Sequence, residues 1–543
     1  MKSSRSTHPP LGTNSERAGP STLAVFELTL RAKRTNNAIG SAAMSSSTGL
    51  AEQFLAPILT TDDRPFSPRH YAEMLFYEPL FLTVFPAVYA LYLLATSAPA
   101  KKWMLLVAST LFYLWGEPVF VPVLLVSTAI DYWLSLSLNE ATPPRTRRLA
   151  LAGGIVGNLS VLIVYKYADF LADNFNFVLA PLGVGRIPLL HLMLPIGVSF
   201  VVFEKITYLV DTYRGVSRPA ASFSDYCLFV LFFPKLLAGP ILKYHEMKDQ
   251  IAAPPAVEWS DFQTGLLRFA RGLGRKLFIA DPLGTLANQV FAADPAGLGA
   301  GFAWLGLASF TLQIYFDFSG YSDMAIGLAR LMGFRLKENF DAPYVAQSMT
   351  EFWRRWHISL TTWIRDYLYM PLGGNRRGDA RTYLNLWICF LASGLWHGAS
   401  WNFVLWGAYN GLFLTLDRLF LRDALARCGT VVATLVTLFI VMIGWAIFRS
   451  DSPAHLQQFT AALFSTSHSS LAPEVPAEAP FTLALGAFIS LLPATKLYGP
   501  LARMYETQSW LRALTIASLL VVYVLAIARA VTVPFQPFIY FRF

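Results

Sequence analysis

One histidine, His397, stands where its surroundings suit chemistry; a second, His357, sits on the apolar face of a helix, where packing alone would account for it. His397 lies in NLWICFLASGLWHGASWNFVLWGAYNGLFL, residues 385–414, between two apolar halves and flanked by Ser393, Gly394, Gly398, Ala399 and Ser400. An ionisable group inside an apolar segment is costly, which makes it a candidate functional residue. Its small neighbours admit close approach by another helix or by a long thin substrate. An imidazole held neutral by such surroundings accepts a proton, so its natural task is general base toward an attacking hydroxyl. The plainer alternative is a histidine bonded to a helix carbonyl for packing alone.

His357 lies in the densest run of functional side chains, NFDAPYVAQSMTEFWRRWHISLTTWIRDYLYMPLGGNRRG, residues 339–378. Ser348 followed by Glu351 forms a capping box that starts a helix. Trp353, Trp356, Leu360, Trp363 and Tyr367 recur at helical spacing, predicting one continuous helix that ends at Met370-Pro371. Arg354, Arg355, Arg365 and Asp366 make it too polar to span a membrane, and its rings make it too apolar for water. It should lie in the interface, as an anchor, or line an aqueous cavity. A third cluster, YFDFSGYSDMAIGLARLMGF at 315–334, places Asp317 and Tyr321, and Ser319 and Asp323, at i, i+4 in an apolar helix. Carboxylates there need partners within the protein, and glue between helices is the expected role.

Other chemistries lack their parts. The three cysteines, Cys227, Cys389 and Cys428, form no C-x-x-C pair, no two of the 8 histidines are spaced i, i+4, and no H-E-x-x-H occurs. Metal chemistry therefore has no support. No histidine is followed five residues on by Asp, and neither a G-x-S-x-G elbow nor a G-x-x-x-x-G-K-[ST] loop is present.

These residues must be positioned by a membrane protein. The 543 residues are 55% hydrophobic and only 14% charged, with a mean hydropathy of +0.45. A soluble surface needs about 25% charged residues. The formal net charge of +9 fits cytoplasmic loop bias and anionic lipid, and no nucleic-acid partner is expected. Apolar runs predict twelve candidate spans, at 79–97, 103–116, 118–138, 149–166, 188–211, 226–242, 302–332, 383–397, 399–417, 429–448, 480–498 and 511–532. Several are short, and LFFPKLLAGPILKY at 231–244 reads as a broken or re-entrant helix. Lys101, Lys102, Arg145, Arg147 and Arg148 place their loops in the cytoplasm and the Glu117-Pro118 turn outside. Arg214 and Arg218, then Arg268, Arg271, Arg275 and Lys276, fit further cytoplasmic loops. Residues 1–73, with nine Ser and six Thr in the first 50, read as a disordered or mis-annotated extension, and 74–543 as the membrane domain.

The stretches FFPKLLAGPILKY, IYFDFSGYSDMAIGLARLMGF, ENFDAPYVAQSMTEFWRRWHISLTTWIRDYLYMPLGGNRRG and GLWHGASWNFVLWGAYNG together resemble the membrane-bound O-acyltransferase family, in particular its bacterial alginate O-acetyltransferase branch. The resemblance runs from near Met74 to the C-terminus. It implies an all-α polytopic protein with a ring of about 10 to 12 transmembrane or re-entrant helices around a central tunnel. It also implies that His397 and His357 match the family's catalytic-site histidines. A cytoplasmic donor, acetyl-CoA with no resident cofactor, would then supply acetyl across the bacterial inner membrane to an exported polysaccharide such as alginate. Periplasmic acceptor or acetyl-transfer proteins would be the partners. A departure is Phe203-Glu204-Lys205, where relatives often carry Phe-Gln; the two charges are expected to compensate each other. A non-catalytic scaffold or a transporter subunit of an export complex is the alternative, although no internal repeat favours transport.

Overall fold

Hydrocarbon offers backbone groups no hydrogen-bond partner, so a chain of this composition has to satisfy them within helices. The computed structural model describes residues 75–542 except 467, 534 and 535, and among these every regular element is helical. The extension expected over 1–73 lies outside the described residues.

In chain order the first helices are α1 (Pro79–Leu94), α2 (Ala98–Gly116), α3 (Phe120–Leu136), α4 (Pro144–Leu162), α5 (Ala168–Leu179) and α6 (Val198–Tyr213). Then come α7 (Phe223–Leu231), α8 (Phe233–Leu236), α9 (Tyr244–Ala252), α10 (Trp259–Arg275), α11 (Asp281–Ala292) and α12 (Ala300–Leu331). The site region holds α13 (Met349–Arg355), α14 (Ile358–Ile364), α15 (Asp379–His397) and α16 (Trp401–Leu416). The chain closes with α17 (Arg422–Arg427), α18 (Thr430–Arg449), α19 (Pro453–Leu463), α20 (Ala479–Leu491), α21 (Tyr498–Thr507) and α22 (Ser509–Thr532).

Each of the twelve expected spans contains a helix, although the first ten residues of 188–211 are largely extended. By length and composition, three helical stretches are able to cross a bilayer: Pro144–Leu182, Thr430–Arg449 and Ser509–Thr532. A bent pair, Ala479–Ala494 with Tyr498–Thr507, adds a broken span. Their outer faces are apolar and open, as lipid-facing surfaces should be; Val431 is 71% exposed and Phe481 72%. The expected break at 231–244 is present, with α7 and α8 separated at Phe232 and an extended run after Gly239.

The centre is α12, 32 residues and so about 48 Å long. It packs on α10 through glycines on both sides: a Cβ on Gly272 would stand 2.5 Å from the Gly320 carbonyl, and one on Gly265 2.8 Å from the Gly327 carbonyl. Arg268, Arg271 and Arg275, expected in a loop, instead lie on α10, and all three reach Asp323 on α12 at 2.7–3.0 Å. Gly265, Arg268, Gly272 and Arg275 recur at spacings of 3, 4 and 3 and so share one seam of the helix, a pattern that loop-charge reasoning does not detect. Lys276 likewise bridges Asp281 and Asp317, and Asp317 also accepts the Ile539 amide at 2.8 Å. Asp317 and Asp323 are thus the interhelical glue anticipated for them.

Two local expectations are corrected. Glu204 and Lys205 do not compensate each other, because successive residues on a helix diverge by about 100°. Glu204 pairs with Lys235 of the broken segment and accepts the Leu242 amide, whereas Lys205 pairs with Asp131 at 3.2 Å. The helix expected from Ser348 to Met370 is interrupted at His357, which takes a left-handed conformation with φ +44°. Residues 339–341 intercept its hydrogen bonds. The Ile358 amide donates to the Asn339 carbonyl, the Ser359 amide to Asn339 Oδ1, and the Asp341 amide to the Arg355 carbonyl. Ser348 does cap the Glu351 amide at 3.1 Å, but Glu351 reaches back to Gln347 instead of Ser348.

Removing one partner of a buried ion pair leaves the other charge uncompensated, a loss of about 3–5 kcal/mol. Glu204→Ala should therefore lower the thermal midpoint in detergent sharply, while Glu204→Leu with Lys235→Met should recover most of it. Asn339→Ala removes the acceptor for His357, the Ser359 amide and the Ser359 hydroxyl at once. Its expected cost is about 1–3 kcal/mol, together with reduced activity, read by unfolding and acyl-transfer assays on the same preparation.

Candidate active site

His397 is the last residue of α15, where four carbonyls have no partner within the helix. The chain reverses at once into α16. Gly394 and Gly407 form the contact, since a Cβ on either would run into a backbone carbonyl of the facing helix, Phe403 or Phe390. Of the two reasons for small residues around His397, close helix approach accounts for these glycines. The Gly398 position is filled against the Phe403 ring.

The carbonyls at the end of α15 are met from α4. Its C-terminal extension carries a π-helical turn, Ile163–Tyr167. Lys166 Nζ donates to the Trp396 and His397 carbonyls, the latter at 3.1 Å, and the Tyr167 hydroxyl donates to the Leu395 carbonyl at 2.7 Å. The extra residue of a π turn alters the direction of the side chains that follow it, and such turns recur at functional sites.

The His397 imidazole is buried within rings: Trp396 and Trp406 at 5.0 Å, Phe448 at 5.3 Å and Tyr540 at 5.7 Å between centroids. Its Nδ1 has no hydrogen-bond partner. The residue lines a cavity of about 70 Å³ with Lys166, Trp396, Tyr540, Leu237 and the segment 194–200. That volume holds a few waters or a small group. Gly197, at φ +76°, lets this segment pass the Leu236 carbonyl, which a Cβ would approach to 2.7 Å.

His357 is fully buried. Its Nδ1 is 3.2 Å from Asn339 Oδ1, and its Nε2 has no partner. The ring packs edge-on against Phe318 at 4.7 Å and lies about 6 Å from Phe200 and Trp396. It shares Trp396 and Tyr540 with His397, so the structure brings the two sequence-predicted histidines against the same pair of rings.

A larger cavity of about 550 Å³ lies next to this aromatic wall, lined by Trp353, Arg354, Ile358, Arg365, Cys389 and Ser393 among others. Ser393 and His397 are one turn apart on α15, about 6 Å along its axis. His357 precedes Ile358 of the large cavity in sequence and packs on Phe200 and Trp396 of the small one. The large cavity includes Arg365, which holds Asp366, whose carbonyl in turn accepts from Arg214. The small one includes Ile196, whose amide is held by Glu117 at 2.8 Å. The large cavity is thus linked through Asp366 to Arg214, and the small one to the Glu117 turn.

Sequence reasoning missed Lys166 and Tyr540. Lys166 had a readable signal, a lone cation in the run LIVYKYADFL. Tyr540 had none, because only the fold brings Phe538, Ile539 and Tyr540 from the chain's end into the core.

The model of the MBOAT, membrane-bound O-acyltransferase family, matches residues 199–465, which include both histidines and both cavity walls on α13–α16. Over 484 residues the chain is 38% identical to a probable alginate O-acetylase of Pseudomonas putida, covering 86% of this chain and 98% of that protein. It is 35% identical over 414 residues to a peptidoglycan O-acetyltransferase of Helicobacter pylori, covering 70% of this chain and 77% of that protein. With a teichoic acid D-alanyltransferase of Bacillus subtilis the identity is 27% over 278 residues, or 48% and 69% of the two chains. A multi-pass helical protein with these relatives, and with two buried imidazoles packed against the same rings, belongs to the membrane-bound O-acyltransferase family and is an O-acyltransferase.

Proposed function

We propose that this enzyme carries acetyl groups from a cytoplasmic thioester, acetyl-CoA, across the bacterial inner membrane for O-acetylation of an exported polysaccharide, alginate being the first candidate. The observation that carries the reading is His397, an imidazole buried in rings, with Nδ1 free of hydrogen bonds and a small cavity beside it. The relatives' names add the transferred group: two of the three act on sugar polymers by O-acetylation.

Loop charge and the two cavities support this direction. Arg147 donates to the Tyr213 carbonyl and Arg214 to that of Asp366, so the large cavity lies at the end that the positive loops assign to the cytoplasm. An anionic donor is attracted there by Arg354 and Arg365, and its apolar walls suit the thin arm of a thioester. The small cavity, held to the Glu117 turn, receives a hydroxyl from the outer side. That hydroxyl belongs to the polymer or to a periplasmic protein that relays acetyl.

The chemistry balances with one base. His397 takes the proton of the acceptor hydroxyl, the oxygen bonds to the thioester carbonyl carbon, the C–S bond breaks, and the imidazolium returns the proton to the departing thiolate. His357, packed against Trp396 and Tyr540 as His397 is, shapes the surroundings in which the acyl end reaches His397.

His397→Ala and His397→Gln should accumulate in the membrane at wild-type levels and lose transfer by about 10²–10⁴-fold, the usual contribution of a general base. The assay follows labelled acetyl from acetyl-CoA into polymer with enzyme in inverted vesicles. Undiminished ester formation in either variant would defeat the assignment.

A further inference from the structure

We infer that Lys166 is a catalytic residue, the group that stabilises the negative oxygen formed when the acceptor attacks the thioester. The inference rests on the proposed transfer at His397 and adds the electrophilic partner which that scheme leaves without a residue.

Four observations converge. Lys166 Nζ already donates to the carbonyls of Trp396 and His397, so the ammonium is fixed at the end of α15, next to the backbone of the base. An ammonium has three donors, and these two bonds leave one. Among the described residues no carboxylate pairs with Lys166, whereas the buried lysines Lys205 and Lys235 each have one and Lys276 has two. A cation inside a membrane protein without a counter-ion is expensive and points to a function that needs the charge.

The fourth observation is position. Lys166 lines the small cavity with His397, and it also lines an adjoining cavity of about 210 Å³ with Asp169, Leu194 and Ala399. Lys166 and Leu194 are common to both, so a hydroxyl coming from the adjoining space passes the ammonium before meeting the base. The π turn at Ile163–Tyr167 directs two successive side chains to α15: Tyr167 takes over part of the carbonyl capping, and Lys166 retains a free donor.

In the step itself, the hydroxyl oxygen bonds to the carbonyl carbon and the C=O π pair moves onto oxygen. Lys166 donates its third N–H to that oxygen while His397 holds the abstracted proton. Reforming the C=O expels the thiolate, which takes the proton from His397. Lys166 ends the cycle as it began, and no further reactant is required.

The test compares Lys166→Met and Lys166→Arg with wild type, using acetyl-CoA and its dithioester analogue, in which sulfur replaces the carbonyl oxygen. An ammonium favours a negative oxygen over a negative sulfur, so wild type should prefer acetyl-CoA and Lys166→Met should lose that preference. Lys166→Met should also lower kcat for acetyl-CoA by about 10²–10³-fold, as removal of an oxyanion donor does. Donor KM should stay near wild type, the thermal midpoint should fall because two helix carbonyls lose their donor, and Lys166→Arg should recover part of kcat. A loss equal for both donors would make Lys166 a helix cap only and overturn the inference. Active wild type with an equally active Lys166→Met would overturn it and leave His397 untouched. Wild type that transfers acetyl from no thioester would overturn both.

Discussion

A polar group at membrane depth has no solvent to bond with, and that constraint organises this protein. Asp323 gathers three arginines from α10, Asp317 joins Lys276 and the Ile539 amide, Glu204 holds Lys235 and the Leu242 amide, and Asp131 holds Lys205 and Asn158. Each pairing ties together segments that are distant along the chain. The charges act as fasteners whose alternative is an unpaired ion in an apolar medium. Close glycine contacts between α10 and α12 complete the arrangement by bringing backbones together where apolar burial supplies no drive between helices.

Against that background the two histidines and Lys166 stand apart. The buried lysines end in carboxylates, yet the half-buried Lys166 ends in backbone carbonyls beside a cavity, and each imidazole keeps one nitrogen without a partner. Groups left with bonding capacity in such a setting are placed to interact with something that arrives. The rings packed around the two imidazoles make their surroundings apolar, which strengthens any hydrogen bond made to a charge that develops there. Trp396 and Tyr540 touch both imidazoles, so the two histidines are joined by rings drawn from α15 and from residues 538–540.

Much of the fold was legible because hydropathy and small-residue patterning act locally. All twelve apolar runs hold helices, the Pro234–Gly239–Pro240 segment is broken, and Asp317 and Asp323 are interhelical partners. Charge placement was less dependable. The arginines of α10 look like a cytoplasmic loop until Asp323 is known to face them, and Glu204 and Lys205 look like a pair until Lys235 and Asp131 intervene. The continuous helix implied by Trp353, Trp356, Leu360, Trp363 and Tyr367 ignored Asn339, because side-chain period alone cannot register a distant segment that takes over backbone hydrogen bonds.

The amino-acid order alone determined that this is a helical membrane protein, that His397 lies in an apolar stretch among small residues, and that a second histidine lies on a tryptophan-rich run. Those features depend on composition and near-neighbour spacing, which survive without coordinates. Tertiary structure decided which nitrogens remain free, that Lys166 reaches the carbonyl of His397, and that Tyr540 closes the site from the other end of the chain. These outcomes depend on which segments meet across hundreds of residues, and on the directions in which a π turn and a left-handed backbone aim the side chains they carry.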